Sequence, residues 1–139
     1  MKTLIGIDPG TNTGFARMSG GKLEVVGTYS ILNAIELVSN SYTLHLLSHG
    51  DSNAGFVVYV EDARLRGGNQ LAARLAGSIR RDCNIWQEFL TSRKIPHQFV
   101  RPTKHSMTKL DSATLARLTG RTGFTNEHGR DAAMLIWGR

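Results

Sequence analysis

The stretch Lys2-Thr3-Leu4-Ile5-Gly6-Ile7-Asp8-Pro9-Gly10 decides how the rest of the chain is read. Leu4, Ile5 and Ile7 around Gly6 have the apolar, β-branched character of a buried strand, and Asp8-Pro9-Gly10 is a strong stop and turn signal. A second strand follows at about Phe15 to Met18. Ser19-Gly20-Gly21 reads as a hairpin turn, and Lys22 to Tyr29 as the third strand. Three antiparallel strands therefore open the fold.

Downstream the pattern changes. Ile31, Ile35, Val38, Tyr42 and Leu46 recur at helical spacing across residues 31–48. A loop at 50–55 leads to Phe56-Val57-Val58-Tyr59-Val60, a short continuous apolar run expected of a central strand buried on both faces. It ends in Glu61-Asp62, followed by a polar loop around Gly67-Gly68-Asn69. Leu71, Leu75, Ile79, Cys83, Trp86 and Leu90 then draw one apolar stripe along a helix over 70–93. Gly77 inside that helix costs about 1 kcal/mol relative to Ala, which predicts close backbone packing there. Ile95 to Val100 is a fifth strand closed by Pro102, Asp111 to Leu118 a short helix before Gly120, and Glu127 to Trp137 a terminal helix. The order predicts an α/β fold: a mixed five-stranded sheet, three antiparallel strands and then alternating elements, with helices on both faces.

The 139 residues suit a single domain over 1–139. One cysteine, Cys83, excludes a disulfide framework or a cysteine-based zinc module and fits a reducing, cytoplasmic setting. No apolar run reaches the roughly 18 residues of a membrane span, and the amino terminus reads as a strand rather than a signal peptide. The net charge of +6 is unevenly placed. Residues 1–63 hold three bases against six acids, whereas residues 64–139 hold fourteen bases against five acids. Twelve of the 17 bases are Arg, whose planar fork suits phosphate oxygens. Two readings stand from composition: a polyanion partner, or a basic surface kept for solubility.

Asp8 and Glu61 each end an apolar strand. If those strands are neighbours, the two carboxylates meet at one sheet edge and repel unless a cation lies between them; Mg²⁺ is the economical candidate. The alternative is that Asp8 caps the Pro9-Gly10 turn and Glu61 pairs with Arg64 or Arg66. His128 and Asp131, three apart, share a face at the start of the terminal helix, either as a ligand pair or as an exposed first turn. His45 and His49 have ligand spacing but no third partner, so surface placement or partial burial is expected. His97 and His105 form no constellation, and Cys83 belongs to the core. The segment Asp8 to Gly14 also has the look of a nucleotide phosphate loop. That architecture needs two lobes and a second loop, so no nucleotide cofactor is expected.

Taken together, Gly6-Ile7-Asp8-Pro9-Gly10-Thr11-Asn12-Thr13-Gly14-Phe15-Ala16, Val60-Glu61-Asp62-Ala63-Arg64, Ala76-Gly77-Ser78 and His128-Gly129-Arg130-Asp131-Ala132-Ala133 resemble the RuvC family of Holliday-junction resolvases, of the ribonuclease H-like superfamily. The resemblance spans nearly the whole chain and is nearest to compact bacteriophage versions. It implies Asp8, Glu61, His128 and Asp131 as catalytic metal ligands for two Mg²⁺ ions, with Mn²⁺ substituting. It implies a branched DNA partner (a four-way junction), paired nicks leaving 5′-phosphate and 3′-hydroxyl ends, and a homodimer to which helix 70–93 contributes. Trp86, Phe89 and Leu90 read as either that interface or plain core, with core preferred for Trp86. The setting implied is a bacterial or phage-infected cytoplasm. Phosphate contacts are expected from Arg64, Arg66, Lys104, Lys109 and Arg130. The loop after Glu61 lacks the aromatic wedge of cellular members, leaving Leu65 or arginine stacking for that role, and Asp62 has no required place in the pattern. A broader branched-DNA or RNA–DNA hybrid nuclease, and a non-catalytic junction-binding domain, remain as alternatives.

Overall fold

Thr3–Asp8 forms strand β1, the middle of a five-stranded sheet. It is flanked by β2 (Asn12–Ser19) and β4 (Phe56–Glu61), with β3 (Lys22–Ser30) and β5 (His97–Val100) at the edges. The helices are α1 (Ile31–Ser48), α2 (Gln70–Ser92), α3 (Ser112–Thr119) and α4 (Glu127–Ile136), and a 3-10 turn covers Ala63–Leu65. The computed structural model describes residues 1–65, 70–102, 112–120 and 125–139, with backbone alone at 70–76. β1 pairs antiparallel with β2 and parallel with β4, and β4 pairs parallel with β5. This is the mixed sheet that the sequence predicts.

The side-chain alternation of β1 sorts the molecule into two layers. Ile5 and Ile7 point to one face, where Phe15, Phe56, Val58 and Val60 pack with Ala34 and Val38 of α1 and Trp86 and Leu90 of α2. Leu4 points to the other face, where Ala16, Met18 and Leu23 pack with Leu115 of α3 and Ala132, Ala133 and Ile136 of α4. Helices therefore cover both faces of the sheet, and Trp86 is core at 0% exposure.

Four local expectations change. β2 begins at Asn12, because Thr13 and Gly14 pair across to Tyr29 and Thr28 despite their polar and small side chains. The Thr13 hydroxyl donates to the Gly10 carbonyl at 2.7 Å and closes the turn after β1. The Gly20-Gly21 hairpin forms as predicted, both residues at positive φ. In α2, a Cβ on Gly77 would meet nothing within 4 Å among the described residues, so none of their backbone packs closely there. The apolar stripe of α2 is buried at Cys83, Trp86 and Leu90, but Ile79 is exposed. His45 lies deeper than its spacing suggested. It is buried between α1 and the loop before β4, with Nε2 3.0 Å from the Ala54 carbonyl and its ring stacked on His49. Asp111, the expected start of α3, lies outside the described residues.

Candidate metal centre

The register Ile7↔Val60, carried one residue further, sets Asp8 beside Glu61 at the carboxyl edge of the two central strands. Both acids fall on the α4 face, in phase with Leu4 on β1 and with Val57 and Tyr59 on β4. α4 then lies almost on the backbone of the sheet. A Cβ on Gly6 would sit 2.1 Å from the Ala132 carbonyl oxygen, and one on Gly14 would sit 1.9 Å from that of His128. Only glycine permits this approach. The first turn of α4 is fixed from two sides. Asn126 is its N-cap and accepts from the Gly129 amide at 2.9 Å, while the Thr28 hydroxyl of β3 donates to the same Asn126 side chain.

The seating delivers His128 and Asp131 to the sheet edge. His128 Nδ1 lies 3.2 Å from Asp8 Oδ2. One ligating atom from each of Asp8, His128 and Asp131 falls within 4.8 Å of the others, which is the spread a single divalent ion can bridge. Glu61 adjoins this group without joining it, yet its charge is felt by both aspartates. Burial, then repulsion from Glu61 and Asp131, raises the Asp8 carboxyl to about 7, with His128 opposing. Burial, then Glu61 and Glu127, raises Asp131 to about 6, with His128 and Arg130 opposing. Asp131 Oδ1 is buried with no hydrogen-bond partner among the described residues. Crowded, desolvated carboxylates with an orphaned oxygen fit a hard cation ligated by oxygen and one imidazole.

The predicted phosphate contacts fare differently. Arg64 donates through Nε and Nη2 to the two oxygens of Asp62, at 2.8 and 2.7 Å, and through Nη1 to Asn84 and Gln87. Arg130 Nη1 donates to the Thr125 carbonyl and, at 3.2 Å, to Ser112 Oγ, tying α3 to the approach of α4. Any phosphate would have to compete with these internal bonds. Arg66, Lys104 and Lys109 lie outside the described residues, as does His105. Leu65, a candidate wedge, is 41% exposed. His97 turns Nδ1 back to the Ile95 carbonyl, and burial pushes the Cys83 thiol up to about 11, so both are structural.

Two features escaped the sequence reading. Asn126 just ahead of an apolar-faced helix is an N-cap signature and was available to find. Arg101 is exposed and follows Val100, the register partner of Glu61, so it leaves the sheet at the same edge as the acids. Only the pairing of β4 with β5 reveals that.

The architecture defines a class: a ribonuclease H-like α/β fold with acids at the carboxyl edge of its central strands. Within it the chain matches a solved structure described as "T. thermophilus RuvC in complex with Holliday junction substrate", with a TM-score of 0.57 and 14% identity. The match covers 97% of this chain and 90% of that one, and it carries the fold. No family model and no curated protein matches the chain.

Proposed function

We propose that this protein is a metal-dependent, structure-selective DNA endonuclease that resolves four-way junctions by paired nicks, leaving 5′-phosphate and 3′-hydroxyl ends. The observation that carries the reading is the convergence of Asp8, His128 and Asp131 within 4.8 Å, beside Glu61, at the sheet edge. The junction-bound RuvC structure of the same fold supports the choice of substrate. Asp8, Asp131 and His128 would hold the divalent ion, with Glu61 beside them. A bound ion of this kind supplies an activated water and Lewis-acid stabilisation of the phosphodiester. The chain's own groups prepare for it. His128 keeps Nδ1 against Asp8, and a bound cation would compete with the protons that the raised Asp8 and Asp131 carboxyls hold. Arg101 at this edge would join the proposed phosphate footprint, to which the family resemblance also assigns Arg66, Lys104 and Lys109. A homodimer would place two such sites on opposing strands of a junction, in a cytoplasmic setting.

The test uses labelled four-way junction, linear duplex and RNA–DNA hybrid, each with Mg²⁺, on the wild type and Asp8→Asn. Symmetric junction nicks are expected, reduced at least about 10³-fold in the variant, the equivalent of several kcal/mol of transition-state stabilisation. Cleavage of the hybrid alone would replace this reading with a ribonuclease. Tight junction binding without cutting in Mg²⁺ or Mn²⁺ would leave a binding domain.

A further inference from the structure

Asp62 is 2% exposed, although it follows the strand-ending Glu61 and is an acid. Three attachments hold it. Its amide donates to the Val100 carbonyl of β5 at 2.8 Å. Its carboxylate accepts the Arg64 amide at 2.9 Å and both arms of the Arg64 fork. Its own carbonyl accepts the Leu65 amide at 3.1 Å and closes the 3-10 turn. Arg64 carries the tie further. Nη1 donates to Asn84 Oδ1 at 2.6 Å and to Gln87 Oε1 at 2.8 Å, both on α2, and the guanidinium lies over the Phe99 ring at 5.2 Å. Four of its five N–H donors are thereby spent inside the protein, leaving little for a phosphate. Cys83 Sγ, 4.0 Å from the Glu61 carbonyl, touches the same peptide from α2.

We propose that Asp62 and Arg64 are positioning residues: their ion pair locks the end of β4 to α2 and β5 and so holds Glu61 beside Asp8 and Asp131. Strand ends fray, and the like charges around Glu61 would favour its swinging away. Because side chains alternate along a strand, anchoring residue 62 on the α2 face leaves Glu61 aimed at the α4 face. The inference rests on the metal-site reading above, and it gives Arg64 a role other than phosphate contact. Outer partners that orient ligands typically change metal affinity or activity by 10–100-fold when removed.

The test is Mn²⁺ binding, followed by electron paramagnetic resonance without DNA, alongside junction binding in Ca²⁺ and cleavage in Mg²⁺. Arg64→Gln is expected to weaken Mn²⁺ binding by about 10-fold or more with junction affinity unchanged; Arg64→Lys, which keeps charge but not the fork, should fall between. Should Arg64→Gln fail to fold, the double variant Asn84→Ala/Gln87→Ala trims two exposed partners and should still weaken Mn²⁺ by roughly threefold. Unchanged Mn²⁺ affinity together with weaker, less salt-dependent junction binding in Arg64→Gln would overturn the clamp and restore Arg64 as a phosphate contact. Absence of Mn²⁺ binding to the wild type would overturn the metal centre and the clamp together. Mn²⁺ bound by the wild type and weakened by Arg64→Gln, with no cleavage of any DNA, would uphold the clamp while ending the nuclease reading.

Discussion

Glu61 and Asp62 are adjacent acids with opposite fates. Glu61 faces α4, where it and two aspartates crowd one edge of the sheet; burial, then repulsion from Glu61 and Asp131, pushes the Asp8 carboxyl up to about 7. Asp62 faces α2. Burial there would also raise it, but the hydrogen bonds and charge of Arg64 more than offset burial and hold the carboxyl below its usual range. One peptide thus separates a frustrated cluster from a satisfied pair. The contrast shows where this fold keeps its binding capacity and where it keeps its rigidity. Crowded, partly buried carboxylates are tolerated where a cation can join them, and the neighbouring residue supplies the anchorage that keeps them together.

The strongest way to break this contrast is to remove one side of it. Gly14→Ala would place a Cβ 1.9 Å from the His128 carbonyl oxygen and 3.0 Å from Asp8 Cβ, so α4 must move off the sheet. We expect a loss of roughly 3 kcal/mol in urea denaturation and a fall of about 100-fold or more in Mn²⁺ affinity. The Asp62 corner should survive, with slow amide exchange at Arg64 retained. Loss of that protection would mean that the two corners fold as one unit.

The next expectation sets the two corners against each other in sign. Asp62→Asn strips Arg64 of its charge partner and should cost roughly 3 kcal/mol. Asp8→Asn should instead stabilise the metal-free protein at pH 8, by roughly 1–3 kcal/mol. The sign follows from linkage. The folded state holds the Asp8 proton up to about 7 against 3.8 for an ordinary Asp, so its contribution is full below about 4 and is lost as pH rises through 7. Asp131 adds the same trend up to about 6. Metal-free wild type should therefore lose stability between pH 4 and 7, and Asp8→Asn should lose less. Because a cation competes with these protons, Mn²⁺ affinity should fall as pH drops through the same window. Denaturation curves across pH with and without Mn²⁺ check both. Destabilisation of the metal-free protein by Asp8→Asn at pH 8 would contradict the frustrated reading of that corner.

What the sequence made legible follows the range of the interactions. Asp8 and Glu61 could be read because each ends an apolar run, and His128 with Asp131 because a spacing of three is a local property of a helix. The seating of α4 was less accessible. The glycines that permit it, Gly6 and Gly14, meet carbonyls more than a hundred residues away, and Thr28 reaches Asn126 across 98 positions. Arg64 is the instructive case. Its partner stands two residues away, yet an acid and a base at that spacing look solvated until a 3-10 turn and two side chains of α2 enclose the pair. Gly77 shows the converse, since a helix glycine implies close packing only where another element arrives, and none among the described residues does.

The smallest effect tests whether charge at this edge is divided between holding the protein and holding nucleic acid. Both corners end against Val100, the register partner of Glu61 and the acceptor of the Asp62 amide. Arg101 follows directly and is exposed, whereas Arg64 is spent internally. An exposed arginine beside a phosphodiester site releases counterions when it meets a phosphate, and each such contact contributes nearly one unit to the salt slope of binding. Arg101→Gln should therefore lower the slope of log affinity against log salt by about 0.9 on a four-way junction. Folding stability should stay within about 0.5 kcal/mol, and Mn²⁺ affinity should not change. The Arg64 variants should show the reverse: altered metal binding with an unaltered slope. If both arginines moved the slope equally, the division would fail and the basic half of the chain would act as one undivided phosphate surface.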